Sequence, residues 1–89
     1  MLKRVLFLGT GTSQGVPVIG CNCPVCNSKN IKDKRLRSSI LITINSLDIL
    51  IDIGPDFRNQ MLQAKQSNID YILITHQHRD HTSGLDDLR

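Results

Sequence analysis

His76-Gln77-His78-Arg79-Asp80-His81 gathers all three histidines of an 89-residue chain, plus a carboxylate, into six positions. Neutral imidazole nitrogens and carboxylate oxygens are the donors that zinc and its first-row neighbours take. In an extended segment, side chains at i and i+2 lie on one side. His76 and His78, leaving a strand end, can therefore converge on one metal. Asp80 and His81 are adjacent and diverge unless the chain turns. A turn into a helix would aim them at a second metal beside the first. Two metals about 3.5–4 Å apart can clamp the attacking and leaving oxygens of a hydrolytic displacement. The pattern points to metal-dependent hydrolysis, with Asp80 also placed to orient the water or accept its proton. The plain alternative is a polar loop with surface histidines, but solvated loops seldom collect every histidine of a chain.

A second donor cluster lies upstream. Cys21, Cys23 and Cys26 fall within six residues. An odd, tightly spaced set is a poor disulfide framework, whereas C-x-C-x-x-C suits thiolates gathered on one structural zinc. Tetrahedral zinc wants four ligands, so a fourth must come from elsewhere. Reduced free thiols or a redox role are the alternatives.

The elements that must position these groups read as follows. Lys3 to Leu8 is apolar enough for a first strand. Gly9 to Gly20 is a loop rich in Gly, Thr and Pro. It is not a Walker A motif, because no Gly-Lys-Ser/Thr follows. It is not a dinucleotide fingerprint either, because Gln14 stands where the third glycine belongs. Residues 21–37 look irregular. Ser38 to Asn45 is β-branched and strand-like, Ser46-Leu47 can turn, and Asp48 to Ile53 returns as an antiparallel partner. Gly54-Pro55 stops that strand. Asp56 is an N-cap for a helix to about Gln66, with Phe57, Met61, Leu62 and Ala64 on its apolar face. Asp70 to Thr75 is a nearly continuous apolar strand, which suits a sheet covered on both sides. A short helix is expected from Thr82 or Ser83 past Asp87. Asp52, between two isoleucines at a strand end, is costly if buried unpaired. It reads either as a carboxylate that orients a metal-binding histidine or its loop, or as a partly exposed strand-terminal Asp bonded to a turn.

At this point the residues carry a resemblance. His76-x-His78-x-Asp80-His81 after a strand resembles the signature of the metallo-β-lactamase fold superfamily. Leu8 to Pro17, the cysteine cluster, and Ile51-Asp52-Ile53-Gly54-Pro55-Asp56-Phe57-Arg58 are similar to one branch of it. That branch includes the phosphoribosyl 1,2-cyclic phosphodiesterase of the carbon–phosphorus lyase pathway and pyrroloquinoline quinone synthesis protein B. The transfer-RNA 3′-processing endonucleases are more distant. The resemblance implies an α/β fold: the N-terminal portion of an αββα sandwich, a mixed sheet with one or two helices. It implies two divalent metals, zinc or manganese, at His76, His78, Asp80 and His81, and one structural zinc at Cys21, Cys23 and Cys26. It also supports the orienting role for Asp52. Members of the branch exceed 200 residues and draw further ligands from later in the chain, including a His that closes the cysteine site. Residues 1–89 are thus expected to form a single incomplete metallo-hydrolase domain, inactive by itself and needing the C-terminal half of its own fold.

Composition narrows the function classes. No apolar run approaches the 18 or more residues of a membrane helix. The short apolar start, followed by a Gly/Thr loop, is not a secretory signal. A cytoplasmic enzyme is expected, with no membrane partner. The net charge is +3, and Lys29, Lys32, Lys34, Arg35 and Arg37 cluster within nine residues. Such a stretch either draws phosphate-bearing substrates or is a solvated surface loop. It holds no aromatics for base stacking, which argues against nucleic acid; a small or cyclic phosphodiester substrate is what the resemblance implies. The core has no Trp, one Tyr and two Phe to draw on, and a chain this short buries only about 60–65% of its unfolded surface. An uncovered sheet face in half a sandwich predicts self-association, as a homodimer or larger. The rival readings are a cofactor-synthesis protein using the same metal cage and a non-catalytic zinc-stabilised module.

Overall fold

The computed structural model describes residues 2–77 and 79–88, with the side chains of Leu2, Arg79 and Asp86 outside the description. Four strands form one mixed sheet in sequential order: β1 (Leu2–Gly9), β2 (Ser39–Ile44), β3 (Leu47–Ile51) and β4 (Tyr71–Leu73). β1–β2 and β2–β3 are antiparallel, and β3–β4 is parallel. The parallel step needs a crossover, and α1 (Phe57–Ala64) supplies it. A short α2 (Arg79–Thr82) runs directly into a 3-10 turn, Ser83–Asp87. This is the expected mixed α/β half-sandwich.

Strand alternation explains which face is buried. Leu6, Leu41, Leu50 and Ile72 are register partners in one row across all four strands. With Leu8, Ile53, Ile69, Phe57 and Met61 they form the core beneath α1. Leu41, Leu50 and Ile53 are fully buried, each stabilising the fold by about 1.5–3 kcal/mol. The neighbouring rows, Val5–Ile42–Ile49–Tyr71 and Phe7–Ile40–Ile51–Leu73, point to the opposite face. There Phe7, Tyr71 and Leu73 are each more than half exposed. β4 is three residues long rather than the six expected, and within this chain its outward side chains meet solvent.

Other boundaries shift for identifiable reasons. The hairpin turn is Asn45-Ser46, not Ser46-Leu47, because both residues take positive φ, as the tight hairpin turn requires and Asn readily tolerates. Asp56 precedes α1 but makes no capping bond. Its carboxylate instead accepts the Arg37 backbone N–H at 2.9 Å and pairs with the guanidinium at 3.0 Å. Leu62 is exposed; Gln60 takes the inward position with Phe57 and Met61 and donates to the Arg37 carbonyl. The last helix begins at Arg79, inside the histidine motif, rather than at Thr82 or Ser83.

Candidate metal centre

β3 ends at Ile51, one residue before Asp52, so Asp52 is not part of the strand as expected. It takes φ 65°, a left-handed conformation that Asp tolerates better than most residues but still at a cost. That conformation swings its carboxylate under the start of the motif. Asp52 is 5% exposed. One oxygen accepts the Thr75 backbone N–H at 2.8 Å; the other accepts the Thr75 hydroxyl at 2.7 Å and faces His81 Nδ1 at 2.7 Å. Burial alone pushes this carboxyl up. The Thr75 amide and hydroxyl and His81 outweigh it and hold the group below its ordinary value, so it is ionised at neutral pH. Asp52 is thus buried and bonded to Thr75 and His81, not a partly exposed strand-terminal Asp.

The motif backbone is pinned to the same loop. Ile53 N–H donates to the His81 carbonyl at 2.8 Å, and Gly84 N–H donates to the Ile53 carbonyl at 3.0 Å. Gly54 allows this approach: a Cβ there would overlap the Asp80 carbonyl oxygen.

An ionised carboxylate only accepts, so His81 Nδ1 must donate to Asp52. Nε2 lies 2.9 Å from an Asp80 carboxylate oxygen. A neutral ring then turns a lone pair towards a second acceptor, a contact that needs a further proton or a cation. Tetrahedral ligands 2.0–2.1 Å from zinc sit about 3.4 Å apart, close to the separation of these two atoms. His76 joins the group: its ring centroid is 4.0 Å from that of His81, and its Nδ1 lies 3.0 Å from the Thr75 hydroxyl. Of the four motif residues, Asp80 and His81 are in direct contact and the His76 ring lies beside that of His81, while His78 lies outside the described residues; among the described residues the three cysteines are the set whose donor atoms all converge. The donor set fits divalent metal.

The three cysteine sulfurs lie within 4.8 Å of one another. Zinc–sulfur bonds of about 2.3 Å would draw tetrahedral sulfurs to about 3.8 Å, so a modest closure suffices. Backbone amides already point at the cluster: Cys26 N–H at Cys23 Sγ and Val18 N–H at Cys26 Sγ, both at 3.4 Å. The Cys26 amide, then the neighbouring thiols, lower the Cys23 thiol to about 7, which favours the thiolate that binds metal. At Cys26 the Val18 amide acts in the same sense, but Cys21, burial and Cys23 outweigh it and push the thiol up. Three converging thiols of this kind fit a structural zinc.

The basic stretch is only partly a free patch. Arg37 Nε donates to the Ser13 carbonyl at 2.7 Å, Arg35 reaches the Thr10 hydroxyl at 3.4 Å, and Lys34 donates to the Ser28 carbonyl. The two arginines tie the Gly/Thr loop to the segment that follows the cysteines. Thr75 is the residue that sequence reasoning passed over. A lone hydroxyl between an apolar strand and the first metal-type histidine was its only signal.

A family described as Anti-Pycsar protein Apyc1 matches residues 24–89. The chain belongs to this family. Its fold is the N-terminal part of the metallo-β-lactamase fold. A crystal structure of a new diphosphatase from the PhnP family superposes with a TM-score of 0.92 at 49% identity, covering 96% of this chain and 34% of that one. Zinc-bound PqqB from Methylobacterium extorquens gives 0.80 at 31% identity, covering 96% and 33%. A Porphyromonas gingivalis protein named octanoyltransferase is 53% identical over 87 residues, 97% of this chain but 18% of its own length. The chain thus spans about a third of each of these two solved structures and under a fifth of the curated relative. Among the described residues, no helix is long and apolar enough to cross a membrane.

Proposed function

We propose that this chain contributes the first half of a dinuclear metal site that hydrolyses a small or cyclic phosphodiester. The observation that carries the reading is His81 held at Nδ1 by Asp52 while Nε2 confronts the Asp80 carboxylate at 2.9 Å. His76 and His78 are assigned to one divalent ion, zinc or manganese, and Asp80 and His81 to the other. When bound, such a pair supplies a water that ionises near neutral pH and a clamp on the attacking and leaving oxygens. Asp80 orients that water or takes its proton, and Asp52 keeps the His81 ring in place. Similarity to a diphosphatase of the PhnP family supports a phosphate-bearing substrate. Acyl transfer is not carried over from a relative matched over 18% of its length. The working protein includes the C-terminal half of the fold, acts in the cytoplasm, and needs neither membrane nor nucleic acid.

The test is cleavage of bis-p-nitrophenyl phosphate, with added zinc or manganese, by this sequence fused to the C-terminal two thirds of the PhnP-family diphosphatase. Activity is expected in the fusion and not in the 89 residues alone. His78→Ala or Asp80→Ala should abolish it, and undiminished cleavage by either variant would sink the assignment. The similarity to zinc-bound PqqB favours a second reading, a cofactor-synthesis protein using the same cage. A fusion that binds metal but is inert towards phosphodiesters would favour that reading. Metal at a stoichiometry of one, loss of fold on chelation and no hydrolysis would favour a zinc-stabilised module built on Cys21, Cys23 and Cys26.

A further inference from the structure

Thr75 lies between the carboxylate and the first histidine of the motif, with its hydroxyl within hydrogen-bond distance of both. The Thr75 hydroxyl oxygen is 2.7 Å from Asp52 Oδ2 and 3.0 Å from His76 Nδ1. Asp52 Oδ1 already accepts the Thr75 amide and Oδ2 is the acceptor facing the hydroxyl, so the hydroxyl proton points to Asp52. The hydroxyl oxygen then has only lone pairs to offer His76. His76 Nδ1 must therefore carry a proton, which places the lone pair of the neutral ring on Nε2.

We infer that Thr75 is a positioning residue that relays the Asp52 charge to His76 and fixes its Nδ1–H tautomer. One buried carboxylate thus sets two imidazoles: His81 directly at 2.7 Å, and His76 through a single hydroxyl. For His81 this leaves Nε2 facing the Asp80 carboxylate at 2.9 Å. The Thr75 backbone amide, bonded to the other Asp52 oxygen, holds the relay in register whatever side chain stands there. The inference rests on reading His76 and His81 as metal ligands, whose tautomers such outer partners fix.

The experiment is 15N NMR of the metal-free chain labelled at histidine, near pH 8, in solution or by magic-angle spinning if it self-associates. Single replacements assign the rings. In the unmodified chain His76 is expected as the Nδ1–H tautomer. Thr75→Val should shift His76 to the Nε2–H form that imidazole prefers in water, while His81 keeps its Nδ1 proton. Thr75→Ser should restore the original spectrum. An Nε2–H His76 in the unmodified chain overturns the relay with no variant needed, so a misfolded Thr75→Val leaves the question decidable. An unchanged His76 in a Thr75→Val chain whose His81 signal is intact overturns it equally, as does failure of Thr75→Ser to restore it. None of these results depends on turnover. A fusion that cleaves no phosphodiester but keeps the tautomer pattern would defeat the proposed function alone.

Discussion

Asp52 shows how much a single side chain can be asked to hold. It is buried, sits in a left-handed backbone conformation, and accepts from an amide, a hydroxyl and an imidazole. Removing it strands three donors. Asp52→Ala is expected to destabilise the chain by about 2–4 kcal/mol, read as a lower urea midpoint at unchanged slope. The folded carboxyl lies below its unfolded value of 3.8. Its contribution is therefore complete above that value and disappears as pH falls through the lower, folded one. Asp52→Asn should flatten the acid limb of stability against pH. Superimposable acid limbs for Asn and Asp would show that the charge contributes nothing. The sequence exposed this residue as a problem, an Asp between isoleucines, but not its solution. The partners come from residues 75 and 81, and only the parallel β3–β4 pairing brings them within reach.

At the scale of elements, the hairpin and the crossover helix were legible because alternation and apolar spacing are local signals. The errors fall where a tertiary contact overrode a local preference. Asp56 has the chemistry of a helix cap, yet Arg37, nineteen positions earlier, takes both its oxygens. Leu62 matches the helical stripe, yet the inward slot belongs to Gln60, whose amide satisfies the Arg37 carbonyl. The histidine motif was legible by composition, but the start of α2 inside it was not, because that turn is fixed by backbone bonds to Ile53 and by the missing side chain at Gly54. Gly54→Ala is expected to cost about 1–3 kcal/mol, measured by denaturant unfolding, since the new methyl must displace the Asp80 carbonyl. Unchanged stability would mean that the two loops are not packed as tightly as the structure has them.

For the whole molecule, the informative surface is the sheet face opposite α1. Val5, Phe7, Ile40, Ile42, Ile49, Ile51, Tyr71 and Leu73 occupy two adjacent rows across all four strands. An apolar face of that breadth is seldom left to water. In solution the 89 residues should sediment as dimers or larger species, and Phe7→Glu with Leu73→Glu should return them to monomers. A monodisperse monomer of the unchanged chain would contradict this. The expectation of an uncovered face came from recognising half a sandwich. Which residues line it required the strand register, because Ser38 to Asn45 alone does not say which alternate set points inward.

Ile53 has a consequence for how this corner can move. Its side chain is locked in the core, while its amide and carbonyl clasp His81 and Gly84 on either side of the turn. The corner that carries the histidine motif therefore cannot breathe separately from the sheet beneath it. Any opening that frees the His81 carbonyl also loosens the tether on a fully enclosed isoleucine, so excursions of the donors will be rare and will share the energetic cost of partial unfolding. Stiffness at the site is inherited from the hydrophobic interior.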